Sequence, residues 1–97
     1  MQIISRRVLR EFWEKHPGSA ISLQTWFHDV ELANWKSPAD VKAVYRNASV
    51  IGNNRVVFNI EGNHYRLVVV VNYQHGVVYI RFVGTHEEYD RIDVTTI

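Results

Sequence analysis

Ninety-seven residues, 46% of them hydrophobic and 12% aromatic, are enough for one globular domain spanning residues 1–97 and too apolar for a disordered chain. A formal net charge of +1 excludes a uniformly basic nucleic-acid-coating protein, and the absence of cysteine excludes disulfides and thiolate metal sites. No apolar run approaches the ~20 residues of a membrane span and no secretory signal follows Arg6 and Arg7, so the expected location is cytoplasmic, away from membranes.

The chain opens with a short apolar edge strand, Met1 to Ile4. Ser5 then caps a helix running to His16, with Val8, Leu9, Phe12 and Trp13 on one face. Pro17-Gly18 ends it. Ser19 restarts a helix from Ala20 to about Asn34, whose stripe is Leu23, Trp26, Phe27 and Val30. The two helices are antiparallel neighbours and bury their stripes against a sheet. Ser37-Pro38 caps a short helix over Ala39 to Tyr45 that carries Lys42 and Arg46 four residues apart. Asn47 to Asn54 reads as turns around Val50-Ile51. Of the three tryptophans, Trp13 and Trp26 fit the core and Trp35 is the better candidate for a partner interface.

From Arg55 the pattern is strand. Phe58 to Asp90 reads as two hairpins feeding a short helix, with turns at Glu61–His64 and about His75–Gly76. Val68 to Val71 is continuously apolar and marks a central strand. If Gly62 and Asn63 centre the first turn, Asn59 lies opposite Arg66 and Phe58 opposite Leu67. If His75 and Gly76 centre the second, Val69 lies opposite Phe82 and Arg66 opposite Thr85. One face then carries Phe58, Leu67, Val69, Val71, Ile80 and Phe82. The other carries Asn59, Arg66 and Thr85 in a row, with Arg81 further along beside Val70. A bulge or a three-residue turn would break this register. Thr85-His86-Glu87-Glu88 has the spacing of a capping box, so a helix bearing His86, Tyr89 and Asp90 starts where the last strand ends. The final residues, Ile92 to Ile97, add a small strand or stay frayed.

The chemistry-bearing residues gather at that end of the sheet. Arg66 suits phosphate because a guanidinium gives two parallel hydrogen bonds; its structural alternative is a pair with Glu88 or Asp90. His86 suits proton transfer because an imidazole can both give and take a proton under mild conditions. The helix start beside it also favours anions. Tyr89 suits proton transfer or base stacking, and Asn59 either holds phosphate or orients Arg66. Lys42, Arg46 and Arg81 offer a basic surface to a phosphate backbone, against the alternative of solvated charges. His16, His28, His64 and His75 show no metal-ligand spacing, and there is neither a glycine-rich phosphate loop nor a nucleophile elbow. No metal or cofactor is expected.

Three segments carry a resemblance over nearly the whole chain: Trp35-Lys36-Ser37-Pro38-Ala39-Asp40-Val41-Lys42, Phe58-Asn59-Ile60-Glu61-Gly62-Asn63-His64-Tyr65-Arg66-Leu67, and Val83-Gly84-Thr85-His86-Glu87-Glu88-Tyr89-Asp90. Together with the element order they resemble the HigB-type toxins of the RelE/ParE superfamily. The resemblance implies an α+β, RelE-like fold: an N-terminal strand and two helices packed on a small twisted, mainly antiparallel sheet. It also implies a metal-independent endoribonuclease that cleaves mRNA on the translating ribosome. There the 2′-hydroxyl attacks the adjacent phosphate and leaves a 2′,3′-cyclic phosphate. The partner it implies is a HigA-like helix-turn-helix antitoxin. Arg66, His86 and Tyr89 stand at positions carried across as catalytic, and Lys42 is a weaker match. The alternative on the same fold is a non-catalytic binding module: a ParE-like gyrase inhibitor, or an inactive toxin that only holds antitoxin or RNA.

Overall fold

The computed structural model describes residues 1–97. The elements are β1 (Gln2–Ile4), α1 (Arg6–Lys15), α2 (Ala20–Leu32), α3 (Pro38–Val44), β2 (Ser49–Ile51), β3 (Arg55–Ile60), β4 (Tyr65–Asn72), β5 (Val77–Thr85) and α4 (His86–Tyr89), with a 3₁₀ turn at Pro17–Ser19 before α2. Five strands form one sheet in the order β1-β5-β4-β3-β2, antiparallel except for the parallel β1–β5 pair. The α+β class and the central position of β4 are as the sequence indicates.

Three expected helix caps are made differently. Ser5 adopts a left-handed φ of 78° to turn the chain from β1 into α1, and its hydroxyl caps nothing. The Ser19 hydroxyl donates to the His16 carbonyl at 2.7 Å, closing the 3₁₀ turn. Ser37 has extended backbone with no side-chain cap; instead Asp40 Oδ2 accepts from the Lys36 amide at 2.8 Å. Helix α2 stops two residues before Asn34, where Ala33 is extended.

One sheet face meets the helices. Leu9 of α1, Leu23, Trp26 and Val30 of α2, Val41 of α3 and the inward residues of β3, β4 and β5 form a single buried cluster. Each fully buried large side chain there contributes roughly 1.5–3 kcal/mol relative to exposure. Trp35 belongs to this cluster at 4% exposure, with its ring stacked 6.2 Å from Phe58. Trp13 is only half-buried. Trp35 is therefore core and not a partner anchor, its ring reaching Phe58 after the extended Ala33, while Trp13 packs against the same cluster from its edge.

The first hairpin has the expected register, with Asn59 opposite Arg66 and Phe58 opposite Leu67. The second does not. Its loop is Tyr73–Gly76, one residue earlier than the sequence suggests, because Gly76 takes φ 69° as the last loop residue and Asn72 accepts the His75 amide at 2.9 Å through its side chain. Val71 thus faces Val78 and Val69 faces Ile80. A bulge follows: Phe82 pairs with Val68, which leaves Arg81 with no partner on β4. Phe82 is thereby moved off the helix-side face, and Val83 takes its place against the core. Arg66 lies opposite Gly84, and Thr85 opposite Tyr65.

The opposite face holds Val57 and Val68, paired with each other and buried outside the helix-side cluster. Residues 90–97 form neither a strand nor a frayed end. They run in turns held by Asp93, which accepts from the Thr95 amide and hydroxyl. They end where the Arg55 guanidinium donates to the Ile97 backbone oxygen at the start of β3. No helix is long and apolar enough to cross a membrane.

Candidate active site

At the end of the sheet where β5 passes into α4, three elements are tied to one turn. The turn, residues 61–64 between β3 and β4, has positive φ at Glu61 and Gly62. Arg66 folds back on it: Nη1 donates to the carbonyls of Asn63 at 3.1 Å and Tyr65 at 3.2 Å. Helix α4 is docked on it as well, since the His86 amide donates to the His64 carbonyl at 3.1 Å. The guanidinium and the histidine are therefore positioned from a common backbone segment.

Arg66 makes none of the carboxylate pairs that would give it a purely structural role. The chain's close ion pairs are Arg7–Glu11 and His86–Asp90. Glu88 is occupied elsewhere. It accepts the Thr85 amide at 2.8 Å while Thr85 Oγ1 accepts the Glu88 amide at 3.1 Å, so the expected capping box is complete. The bond from the Thr85 amide first, and then the neighbouring Thr85 hydroxyl, hold the Glu88 carboxyl below its ordinary 4.5. The box is intact above that value and weakens as acid protonates the carboxylate. Replacing Thr85 by alanine should cost about 1 kcal/mol, read as a shift in the denaturant midpoint. Two amides of the first turn of this four-residue helix, those of His86 and Glu88, are already engaged by His64 and Thr85.

His86 Nδ1 lies 3.0 Å from Asp90 Oδ2, both side chains about half exposed. The carboxylate fixes the proton on Nδ1 and turns the Nε2 lone pair outward. Tyr89 is half-buried one helical step away, on the same side of α4.

Asn59 and Arg66 are closer neighbours than the register alone states. The Asn54 carbonyl accepts the Val71 amide at 2.9 Å, so the even-numbered residues of β3 bond to β4. The Asn59–Arg66 pair is then one of the narrow pairs without backbone bonds between them, in which side chains approach most closely. By the same alternation Asn59 turns its own N–H and C=O to the outer edge of β3. Strand β2 has already ended there, since its last partner is Val57.

A cleft of about 530 Å³ opens at that edge, lined by Tyr45, Arg46, Asn47, Asn59, Asn63 and neighbouring apolar residues. Its outer wall is the loop from α3 to β2. Lys42 braces this loop, with Nζ donating to the carbonyls of Arg46 at 2.6 Å and Ala48 at 2.8 Å. Lys42 is thus bonded to protein backbone, while Arg46, expected on the helix, stands beyond its end in the loop and faces the cleft. Arg81 is exposed at the bulge on β5, and Tyr79, not Arg81, lies beside Val70. Tyr45, Asn47 and the cleft-facing role of Asn63 are not evident from the sequence, because the cleft exists only once the α3–β2 loop packs beside β3. The Tyr45 hydroxyl donates to Asp29 Oδ2 at 3.2 Å; burial first, then the Asp29 charge, hold its phenol well above the ordinary value. No group of three or more His, Asp or Glu side chains is arranged to hold a metal ion.

Residues 19–92 match the family model for HigB toxin, described as the RelE-like toxic component of a toxin–antitoxin system. The chain belongs to the HigB toxin family. It is 32% identical over 92 residues to the mRNA interferase toxin HigB of Escherichia coli K12, covering 93% of this chain and 88% of that one. The mRNA interferase HigB of Shigella flexneri has the same identity and coverage. The mRNA interferase HigB of Escherichia coli O6:H1 is 22% identical over 94 residues, 95% of this chain and 91% of that one. The matched HigB segment begins at the 3₁₀ turn and takes in Arg66, His86, Asp90, Tyr89 and the whole cleft, so the tied constellation lies inside the family's extent. As a HigB toxin the protein has an antitoxin as its partner in the toxin–antitoxin system.

Proposed function

We infer that this protein is the toxin of a type II toxin–antitoxin module and an endoribonuclease that cleaves mRNA. In our reading it acts in association with the translating ribosome and is neutralised by a HigA-like helix-turn-helix antitoxin. Family membership and relatives named as mRNA interferases support the reaction. The observation that carries the site is the Arg66 guanidinium, held by two backbone carbonyls and free of any carboxylate, with the helix bearing the His86–Asp90 pair tied to the same turn.

The chemistry needs a base for the 2′-hydroxyl, positive charge on the phosphorane and a proton for the departing 5′-oxygen. Neutral His86 takes the 2′-hydroxyl proton at Nε2, and Asp90 stabilises the imidazolium that forms. The 2′-oxygen bonds to phosphorus, the bond to the 5′-oxygen breaks, and the products are a 2′,3′-cyclic phosphate and a 5′-hydroxyl. Arg66 balances the phosphorane charge with paired N–H donors. Tyr89 stacks on the cut nucleotide or supplies the leaving-group proton. Asn59 holds the phosphate beside Arg66. Arg46 and Arg81 meet the flanking backbone, and Lys42 contributes by holding the loop that carries Arg46.

Replacing His86 by alanine should lower single-turnover cleavage by about 10²–10⁴-fold, the usual range for a positioned proton-transfer group. Asp90→Asn should give a smaller loss, because the ring loses the carboxylate that orients it. The decisive cellular experiment is 5′-end mapping of mRNA after brief induction. New internal ends that require His86 support cleavage. Growth arrest with no new ends and early DNA damage would move the gyrase-inhibitor reading first.

A further inference from the structure

The cleft beside Asn59 is more than a gap between loop and sheet. Asn47, Asn59 and Asn63 all line it, and none of their carboxamides has a hydrogen-bond partner within the protein, in contrast to Asn72, whose side chain closes its own turn. The outer-edge N–H and C=O of Asn59 add a backbone donor and acceptor side by side. A half-exposed aromatic ring, Tyr45, forms one wall and is steadied by edge contact with the buried Phe58 ring at 5.1 Å. No carboxylate lines the cleft; its one charged liner is Arg46. The adjoining smaller cleft differs, being lined by Asp29 and Glu61.

Adjacent donors and acceptors at the foot, an aromatic face at the side and a cation at the rim match the edge, the ring and the phosphate of one nucleotide. The volume of about 530 Å³ falls within the roughly 300–1,000 Å³ usual for small-ligand sites. Asn59 connects the cleft to Arg66, so a base seated there belongs to a nucleotide next to the phosphate that Arg66 holds. We propose that this cleft is a base-reading pocket, in which Asn47, Asn63 and the backbone of Asn59 select the RNA base flanking the cut while Tyr45 stacks on it. The identity of the polymer rests on the endoribonuclease reading; the pocket's discrimination between bases does not.

The test is binding of fluorescein-labelled 2′-O-methyl RNA pentanucleotides that differ only in the central base. These cannot be cleaved through a 2′-hydroxyl. The wild-type protein should separate the four bases by on the order of ten-fold in Kd, the range of one good base contact. Asn47→Ala and Asn63→Ala, both at exposed loop positions, should each compress that spread to under about three-fold with little change in melting temperature. In cells the same variants should still cut mRNA, with the base preference at one position next to the cut flattened. A spread that both variants leave unchanged overturns the pocket, as does the absence of any spread in the wild type. Unchanged discrimination with weakened antitoxin binding overturns it by assigning the cleft to the protein partner. A collapsing spread in a protein that cuts no mRNA keeps the pocket and removes the nuclease reading, so the two failures are distinct.

Discussion

An Arg66→Ala protein should lose mRNA cleavage by about 10²–10³-fold while keeping its fold and its antitoxin. The magnitude is that of removing one preorganised donor from a developing negative charge. The structural loss is small because the guanidinium bonds only to the carbonyls of Asn63, which is exposed, and Tyr65 at the end of the strand. Arg66→Lys is the sharper variant. A lysine keeps the charge but loses the planar fork, so it should recover part of the activity and not all of it. Single-turnover rates on a defined transcript, with circular dichroism as the folding control, read both. Full activity in soluble Arg66→Ala protein would remove the residue from the mechanism.

The second large effect is on stability. Phe58 is 1% exposed, and its ring meets Trp26 at 5.4 Å, Trp35 at 6.2 Å and Tyr45 at 5.1 Å. It is the point where α2, the segment after it and the end of α3 converge on β3. Phe58→Ala should cost about 3–5 kcal/mol through the lost contacts and the cavity left among three rings that cannot close on it. For a domain of this size that is a fall in Tm of roughly 15–30 °C. Because Tyr45 rests on the same ring, the cleft wall should loosen too. Phe58→Leu refills most of the volume and should lose less, and urea titration of both variants separates volume from aromatic contact.

How far the sequence reaches depends on whether local residues decide the geometry. The first hairpin is readable because Glu61 and Gly62 sit at its turn and take the positive φ that a tight reversal needs, which fixes Asn59 against Arg66. The capping box is readable because both of its bonds lie within four residues. The second hairpin is not, since its loop closes through the Asn72 side chain, and nothing in Val77–Thr85 marks Arg81 as the unpaired residue. Strand β2 is missed because Ser49–Ile51 is too short to show alternation and is made a strand by its partner Val57. Trp35 reads as a surface anchor among polar neighbours, yet the chain folds it onto Phe58. Of the residues proposed for the site, Arg66, His86 and Tyr89 are placed at one end of the sheet by strand register and helix spacing. The cleft is not found, because its two walls are more than ten residues apart and meet only through packing.

The unpaired Arg81 has a consequence for how the chain tolerates changes in length. Beyond it every residue of β5 is one step out of phase with the part before. That phase step puts Val83 against the helices, points Phe82 away from them, and starts α4 with His86 beside the 61–64 turn. Deleting Arg81 itself would even the ladder and leave Phe82 opposite Val68 and Gly84 opposite Arg66. A residue inserted among the paired positions 82–85 would instead put every residue after it one step out of phase, reverse their faces and present α4 to the wrong side of the sheet. The site is thus encoded in the number of paired residues between Phe82 and His86 as well as in their identity, and these positions should accept substitutions far more readily than insertions, while loss of Arg81 alone should be tolerated.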